Sequence, residues 1–271
     1  MAADATLGAE AYTQGEQFQR ERRNLFGRAW LAFCAPGQAR EPGAFVSHTI
    51  GGWPLFVQRG ADGMLRAFHN VCRHQGMPVI EKPTGKCDQL RCRYHGWTYD
   101  LTGALVTAPP MVAPADMSAQ HLNAISIAEA DGLVFVGVKP TTAAPAPLGL
   151  DTAALESAAT TDVFCNWKTL VEALLPDESW QLAWPNILSR TVNGTRLVRQ
   201  IVPRSFNRTR IVDLVSAAGP GVEAAVQASV GSLAAADKAR AEALQEQRAA
   251  GVLDGDGAIA DFRGRVIAVC A

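Results

Sequence analysis

The chain has 271 residues, of which 48% are hydrophobic and 19% are charged, and its formal net charge is -1. This composition is typical of a globular protein and excludes a disordered or fibrous one. A chain so close to neutral offers no basic face for phosphates, so nucleic acid is not an expected partner.

The chain also lacks the sequence features of a membrane or secreted protein. No segment approaches the roughly 18 unbroken apolar residues of a membrane span. The N-terminus has no basic stretch followed by an apolar core, as a secretory signal would. We therefore expect a cytoplasmic protein with no membrane partner, in which the six cysteines are ligands or buried thiols rather than disulfides.

The predicted elements begin with a helix over residues 9–31, where apolar side chains recur on one stripe. Short strands and glycine turns follow from about residue 43 to residue 138. The clearest strands are expected at 45–50, 53–58, 64–70 and 132–138. Residues 139–150 are rich in Pro and Ala and predict a linker.

The pattern after the linker is α+β. Strands at 189–192 and 195–202 flank Asn193 and Gly194, which is a strong hairpin signal. A further strand is expected at 208–216, and an Ala-rich helix over 221–250 should end at Gly251. The α+β chain is thus predicted to have four parts: a helical lead-in over 1–40 that packs on the C-terminal domain, a small β domain over 41–140, a linker over 141–155, and a C-terminal domain over 156–271.

Two Cys/His pairs stand in the β region, Cys72-x-His74 and Cys92-x-x-His95, with seventeen residues between them. Two loops that each offer one thiolate and one imidazole can hold a [2Fe–2S] cluster, with both sulfurs on one iron and both rings on the other. A zinc site is disfavoured, because zinc usually takes its cysteines and its histidines as separate pairs. We predict these four residues as the cluster ligands, and expect the N–H groups of glycines such as Gly76 and Gly96 to bond the sulfides.

The other four cysteines have no comparable pattern. Cys87 lies between the two pairs and has no histidine partner of its own. Cys34, Cys165 and Cys270 are expected to be buried or terminal thiols.

The segments FHNVCRHQG (68–76) and CRYHGWTYDLTG (92–103) resemble the Rieske domain of the Rieske non-haem iron oxygenases, the ring-hydroxylating and demethylating family. The resemblance extends to residues 25–45 and 131–138 and covers most of residues 10–138. It implies that 41–140 is an all-β Rieske [2Fe–2S] domain. It also implies that 156–271 derives from a helix-grip-like catalytic domain, and that a separate ferredoxin or flavin reductase supplies electrons.

The resemblance resumes at Asn166-Trp167-Lys168, where family members enter the catalytic domain and then carry two histidines and a carboxylate for a mononuclear Fe(II). Matched without gaps, the histidine positions hold Ser179 and Trp184. A second matching places a deletion between Pro176 and Trp180. Either way we expect a shortened member of the family that lacks the iron histidines.

The histidine count supports that expectation without any alignment. The five histidines are His48, His69, His74, His95 and His121, and none lies between 122 and 271. No mononuclear Fe(II) is therefore expected in this chain, although a site that borrows His48, His69 or His121 is conceivable.

The carboxylates near the expected iron position leave one further alternative. Asp237 resembles the family's carboxylate ligand, but a solvated helix carboxylate is the favoured interpretation. A weak site built from Glu172, Asp177, Glu178 and Asp237 is the remaining possibility, because carboxylates without imidazole hold Fe(II) poorly.

The leading hypothesis is an electron-transfer component of a multicomponent oxygenase. Its cluster would pass electrons to the mononuclear iron of a homologous, histidine-bearing oxygenase subunit in a mixed trimer or hexamer. No residue of this chain is assigned a catalytic role. The alternatives are a complete hydroxylase or demethylase with an unconventional metal site, a free Rieske ferredoxin-like carrier, and a structural subunit whose cluster only stabilises the fold.

Overall fold

The structure is a computed structural model and describes residues 7–147, 155–192, 194–216, 223–252 and 257–270. The chain begins with helices α1 (Glu10–Thr13) and α2 (Gly15–Glu21) and a short π-helix (Arg22–Phe26). One helix over 9–31 was therefore the wrong prediction. Gln14 is extended and interrupts it, and Leu31 already pairs with Val136 in a sheet. A strand buried on both faces reads as a continuous apolar run, which periodicity cannot distinguish from helix.

The region from residue 31 to residue 137 is built almost entirely of strands. They are β1 (Leu31–Cys34), β2 (Ala44–Ile50), β3 (Trp53–Arg59), β4 (Leu65–His69), β5 (Thr84–Lys86), β6 (Leu90–Arg91), β7 (Thr98–Tyr99), β8 (Leu105–Thr107), β9 (Ala124–Ala130) and β10 (Leu133–Gly137). Seven of them form one antiparallel sheet in the order β1-β10-β9-β4-β3-β2-β5, while β6, β7 and β8 form a separate small sheet. The four predicted strands are confirmed as β2, β3, β4 and β10.

In the C-terminal half, the described residues form a second antiparallel sheet and three helices. Its strands are β11 (Leu155–Val163), β12 (Gln181–Ala183), β13 (Ile187–Val192), β14 (Thr195–Ser205) and β15 (Arg208–Ser216), and its helices are α3 (Trp167–Leu174), α4 (Glu223–Ala249) and α5 (Gly257–Cys270). The strand order is β11-β15-β14-β13-β12.

Most predicted elements of this half are confirmed. The hairpin forms β13 and β14, with Val192 opposite Thr195 and Gly194 at a φ of 78°; Asn193 itself lies outside the described residues. The strand at 208–216 is β15, and the Ala-rich helix is α4, which ends just before Gly251. Strand β11 and helix α5 were not predicted, and the end of the predicted linker, residues 148–154, lies outside the described residues.

The N-terminal helices pack on the C-terminal half. The Tyr12 hydroxyl donates to Glu172 at 2.6 Å, and the Lys168 ammonium donates to Glu21 at 2.6 Å inside the protein. These contacts agree with the packing expected of the lead-in, while the exact domain boundaries stay a prediction.

The two Cys/His loops rest on a small hydrophobic core of their own. Its buried members include Phe56, Phe68, Leu90, Tyr99 and Leu105. This core fixes the loops from below and leaves their tips at the surface. Among the described residues, no helix is long and apolar enough to cross a membrane.

Candidate metal centre

The first Cys/His loop is a tight turn, and both of the hydrogen bonds that close it involve the backbone of Cys72. The Cys72 N–H donates to the Met77 carbonyl at 2.8 Å, and the Gly76 N–H donates to the Cys72 carbonyl at 3.0 Å. Gly76 has a φ of 76°, a left-handed conformation that side chains disfavour. The glycine therefore lets the chain reverse within the loop that carries Cys72 and His74.

The second loop repeats this backbone pattern. The Cys92 N–H donates to the Trp97 carbonyl at 2.9 Å, and the Gly96 N–H donates to the Cys92 carbonyl at 3.0 Å. Gly96 has a φ of 73°. The expectation that the N–H groups of Gly76 and Gly96 bond the sulfides is therefore wrong, because both N–H groups are used to close their own loops.

The two cysteine sulfurs lie side by side beneath the loops. Both residues are buried, with Cys72 3% and Cys92 2% exposed, and their thiols share a hydrogen bond. The Tyr99 hydroxyl lies 3.2 Å from the Cys72 sulfur, while the N–H groups of Tyr94 and His95 donate to the Cys92 sulfur. Burial and the neighbouring Cys72 raise the pKa of the Cys92 thiol, so two thiolates would need a cation between them.

The two histidines predicted as ligands contact each other. The rings of His74 and His95 meet edge to face, with centroids 4.7 Å apart. The Nδ1 atom of His95 is buried and has no hydrogen-bond partner, which is costly unless the atom binds something else. His74 is held by Trp97, whose ring stacks on it at 5.1 Å with an interplanar angle of 14°.

This arrangement fits a two-iron cluster better than a single ion. No group of three or more His, Cys, Asp or Glu side chains is placed to hold one metal ion in the part of the chain that the structure describes. A Rieske-type cluster instead takes one pair of thiolates and one pair of imidazoles. The four predicted residues are brought together as those two pairs.

Exposed apolar and basic side chains surround the loop tips. Met77 is 44%, Tyr94 59% and Met111 97% exposed. Met111 belongs to this surface because the Trp97 indole N–H donates to the carbonyl of the next residue, Val112, at 3.0 Å. Three exposed arginines border the patch. We call this surface the cluster face and define it by six residues: Arg73, Met77, Arg91, Arg93, Tyr94 and Met111.

Burial raises the pKa of the thiol in each of the four remaining cysteines. Cys34 and Cys165 are fully buried, and burial raises the pKa of the Cys165 thiol to about 12. Burial likewise raises the pKa of Cys270 to about 11. Cys87 is partly buried and pairs through its backbone with Gly43. The prediction that Cys34, Cys165 and Cys270 are buried or terminal thiols agrees with these surroundings.

In the C-terminal half, Asp237 is held by an arginine. The Arg199 guanidinium donates to both oxygens of Asp213, at 2.7 and 2.9 Å, and to Asp237 at 2.5 Å. Asp237 is only 5% exposed. The interpretation of Asp237 as a solvated carboxylate is therefore wrong, because it faces a buried cation on β14.

Glu172 is held by two other arginines. Arg248 donates to it at 3.0 Å and Arg263 at 3.1 and 3.2 Å, and the Tyr12 hydroxyl bonds the same carboxylate. Burial and the nearby Glu172 charge raise the pKa of Tyr12 well above its usual range. Every oxygen of Glu172 is thus already occupied by a donor.

The other positions considered for iron are also engaged elsewhere. Asp177 accepts from Arg190 at 3.0 Å and from the Ser179 hydroxyl at 2.7 Å. Glu178 is exposed, and Trp184 packs on other aromatic rings of this half. The structure therefore does not gather the four carboxylates into one site.

The three histidines outside the loops do not form an evident metal site either. His48 has its Nε2 atom enclosed without a partner, and burial lowers its pKa to about 3. His69 and His121 line one cleft, but they share it with Arg73 and Lys139. A cationic lining repels a metal ion, so a site borrowed from these residues gains no support.

Comparison with known proteins agrees with the geometry of the loops. Residues 29–127 match the Rieske [2Fe–2S] domain, a range that contains all four predicted ligands. Over 136 residues the chain is 35% identical to the glycine betaine monooxygenase oxygenase subunit of Chromohalobacter salexigens, a match that covers 50% of this chain and 31% of that protein. Over 98 residues it is 38% identical to the chlorobenzene dioxygenase subunit alpha of a Cupriavidus species, covering 36% and 22% of the two chains.

This chain contains a Rieske [2Fe–2S] domain and is homologous to Rieske oxygenase alpha subunits. A longer match, 29% identical over 185 residues, is to the carnitine monooxygenase oxygenase subunit of Escherichia coli, and it covers 63% of this chain and 50% of that one. This chain spans only about a third of the length of the first matched relatives, the glycine betaine monooxygenase oxygenase subunits.

Solved structures extend the likeness to the whole fold. The quaternary ammonium Rieske monooxygenase CntA in complex with gamma-butyrobetaine superposes with a TM-score of 0.83 at 20% identity, covering 98% of this chain and 95% of that one. Naphthalene 1,2-dioxygenase with indole bound gives a TM-score of 0.66 at 16% identity, covering 90% and 81%. The predicted fold is confirmed at this level: a β-rich Rieske domain joined to a C-terminal part of helices and sheet.

Proposed function

We propose that Cys72, His74, Cys92 and His95 hold the [2Fe–2S] cluster, and that this chain passes electrons from it to the mononuclear iron of a homologous partner subunit. When bound, the cluster accepts and releases one electron at a time. Two closed loops, two adjacent buried thiols and an orphaned imidazole nitrogen support the ligand assignment. The homology to oxygenase alpha subunits supports the role.

The chain's own residues prepare the site for that exchange. Trp97 stacks on His74 and limits the rotation of its ring, so the imidazole is oriented before any metal arrives. Tyr99 and the backbone N–H groups that face Cys92 bring positive dipoles to the sulfurs, which favours their charged form. The small core beneath the loops excludes water from the sulfur side while the histidine side stays near the surface.

The proposal that the partner subunit, and not this chain, holds the mononuclear iron depends on one observation. The carboxylates near the expected iron position are paired with arginines. Arg199 holds Asp237 and Arg248 holds Glu172, and an arginine keeps its charge at any pH a protein meets. Iron would have to displace these arginines from the carboxylates. No histidine follows residue 121 that could serve as a further iron ligand. We therefore propose that the C-terminal half is a shortened helix-grip-like domain that holds no oxygen-activating iron.

The composition of the cluster face supports the proposal that a partner protein contacts the loops. It combines exposed apolar side chains such as Tyr94 and Met111 with three arginines, a composition typical of protein interfaces. One solved CntA structure is described as giving insight into inter-subunit electron transfer. By analogy we propose a mixed trimer or hexamer with head-to-tail contacts, reduced by a separate ferredoxin or flavin reductase.

Metal counting tests this proposal against a complete oxygenase. The purified chain, made with sufficient iron and sulfide, should contain two irons and two sulfides per chain. Cys92→Ser should lose the cluster absorbance and the magnetic signal of the reduced state, whereas the matched variant Cys87→Ser should keep both. Three irons per chain would support a complete oxygenase with an unconventional site, and a Cys92→Ser protein with an intact cluster would refute the ligand assignment.

Co-purification tests the partner. A tagged chain recovered from its native host should bring down a homologous subunit that carries the two iron histidines. The reduced cluster should then reoxidise faster with that subunit present than without it. Recovery of the chain alone, with no change in reoxidation rate, would favour a free electron carrier.

A further inference from the structure

A cleft of about 480 Å³ lies where the N-terminal helical segment, β10, the linker and the C-terminal half meet. We call it the junction cleft and define it by six of its lining residues: Leu25, Arg28, Trp30, Phe135, Thr142 and Trp184. None of its lining residues belongs to the two Cys/His loops. Its volume is within the range of sites that hold small molecules.

The walls of the junction cleft are fixed by hydrogen bonds and packing. The Trp30 indole N–H donates to the Thr142 carbonyl at 3.2 Å, and the Thr141 N–H donates to the Arg28 carbonyl at 3.0 Å, so the linker is fastened to the opposite wall. Trp184 packs edge-on against two aromatic rings of the C-terminal half. A cleft with such walls needs little rearrangement to accept a ligand.

The lining of the cleft is apolar on the inside and positively charged at one place. Trp30, Phe135 and Trp184 supply aromatic surface, and Arg28 supplies the charge, while none of the described residues that line the cleft is acidic. The Arg28 side chain is exposed and makes no ion pair with any residue that the structure describes. Its guanidinium is therefore available to an anion.

We propose that the junction cleft binds a small amphipathic carboxylate. Its apolar body lies between Trp30 and Trp184, and its carboxylate accepts two parallel hydrogen bonds from Arg28. The planar guanidinium matches a carboxylate in this geometry. The inference uses neither the cluster nor the proposed partner, so it stands apart from the electron-transfer role.

Isothermal titration of the full holoprotein tests the inference with three probes of similar size. Phenylacetate should bind saturably with one site per chain. Phenylacetamide, its neutral counterpart, should bind about tenfold more weakly because it lacks the charged hydrogen bonds, and benzylamine should not bind. No saturable binding of phenylacetate, or equal affinity for the acid and the amide, would overturn the proposal.

Three variants locate the binding. Arg28→Gln should weaken phenylacetate about tenfold and leave phenylacetamide unchanged, while Arg23→Gln, an exposed arginine of the same segment that does not line the cleft, should change neither. Ala143→Trp fills the cleft from the linker side and should abolish binding of both probes. The far-ultraviolet circular dichroism spectrum serves as a folding control for each variant. Wild-type affinity in either Arg28→Gln or Ala143→Trp would place the binding elsewhere and refute the site.

Discussion

The Arg199 guanidinium and the Asp237 carboxylate join β14 to α4 across the interior of the C-terminal half, 2.5 Å apart. Asp213 on β15 binds the same guanidinium through both of its oxygens. One buried cation thus pairs with two buried carboxylates. The position that resembles a metal carboxylate in the oxygenases is here part of the protein's internal ion pairing.

Arg199→Met should destabilise the protein by about 3–5 kcal/mol, because it leaves two carboxylates buried without their cation. Arg210→Met is the matched control on the same sheet, since it breaks a partly exposed pair with Asp162 and should cost at most about 1 kcal/mol. Denaturant unfolding measures both free energies. Equal losses in the two variants would show that Arg199 is not an essential counter-ion.

Glu172→Gln should cost about 3 kcal/mol of unfolding free energy, because Arg248 and Arg263 lose the carboxylate that neutralises them. The exposed residue Asp62, which pairs with Arg66 at the surface, provides a control: Asp62→Asn should hardly move the midpoint of unfolding. The prediction fails if Glu172→Gln unfolds at the same denaturant concentration as Asp62→Asn.

Tyr99→Phe should lower the reduction potential of the cluster by about 40–60 mV, which corresponds to one hydrogen bond of about 1 kcal/mol to a charged sulfur. The hydroxyl near Cys72 stabilises the more negative, reduced state, and removing it disfavours that state. Tyr94→Phe removes an exposed hydroxyl beside the same centre and should leave the potential unchanged. A redox titration that gives the two variants one potential would contradict the assigned hydrogen bond.

His48→Leu should reduce the loss of stability in mild acid. Burial depresses the pKa of His48 to about 3, below the value of about 6.5 in an unfolded chain, so between these values only the unfolded state is protonated. The stability that neutral His48 contributes is therefore complete above pH 6.5 and falls as the pH decreases. Unfolding at pH 7.5 and 5.5 should show a decrease about 1 kcal/mol smaller in the variant than in wild type. An identical decrease in both proteins would exclude His48 as the titrating group.

The parts of the fold that were predicted correctly are those whose sequence patterns involve residues close together in the chain. Alternating strands bounded by glycine, the Asn-Gly turn between β13 and β14, and the spacing of the two Cys/His pairs each depend on neighbours in sequence. Strand β11 was missed because only its two ends, Leu155 and Val163, are buried, so its sequence lacks alternation. Helix α5 contains Gly257 and Gly264, and glycine weakens helix propensity.

The ion pairs were missed for a different reason. Arg199 directly follows Leu197 and Val198, and Asp213 lies between two pairs of apolar residues, so the local sequence indicates a buried charge at each position. It does not indicate the partner, because Asp237 is 38 positions away from Arg199 on a helix. The Trp97–His74 stack is similarly hidden, since it depends on how two separate loops approach each other.

The Trp97 side chain has two structural tasks, one for the face of its ring and one for its indole nitrogen. Its ring lies on His74, and its indole nitrogen fastens the segment that carries Met111. The Met111 side chain, almost wholly in solvent, takes no part in either task. Under the proposed function, substitution of these outermost side chains would change the protein that the surface binds, while the proposed cluster ligands keep their positions.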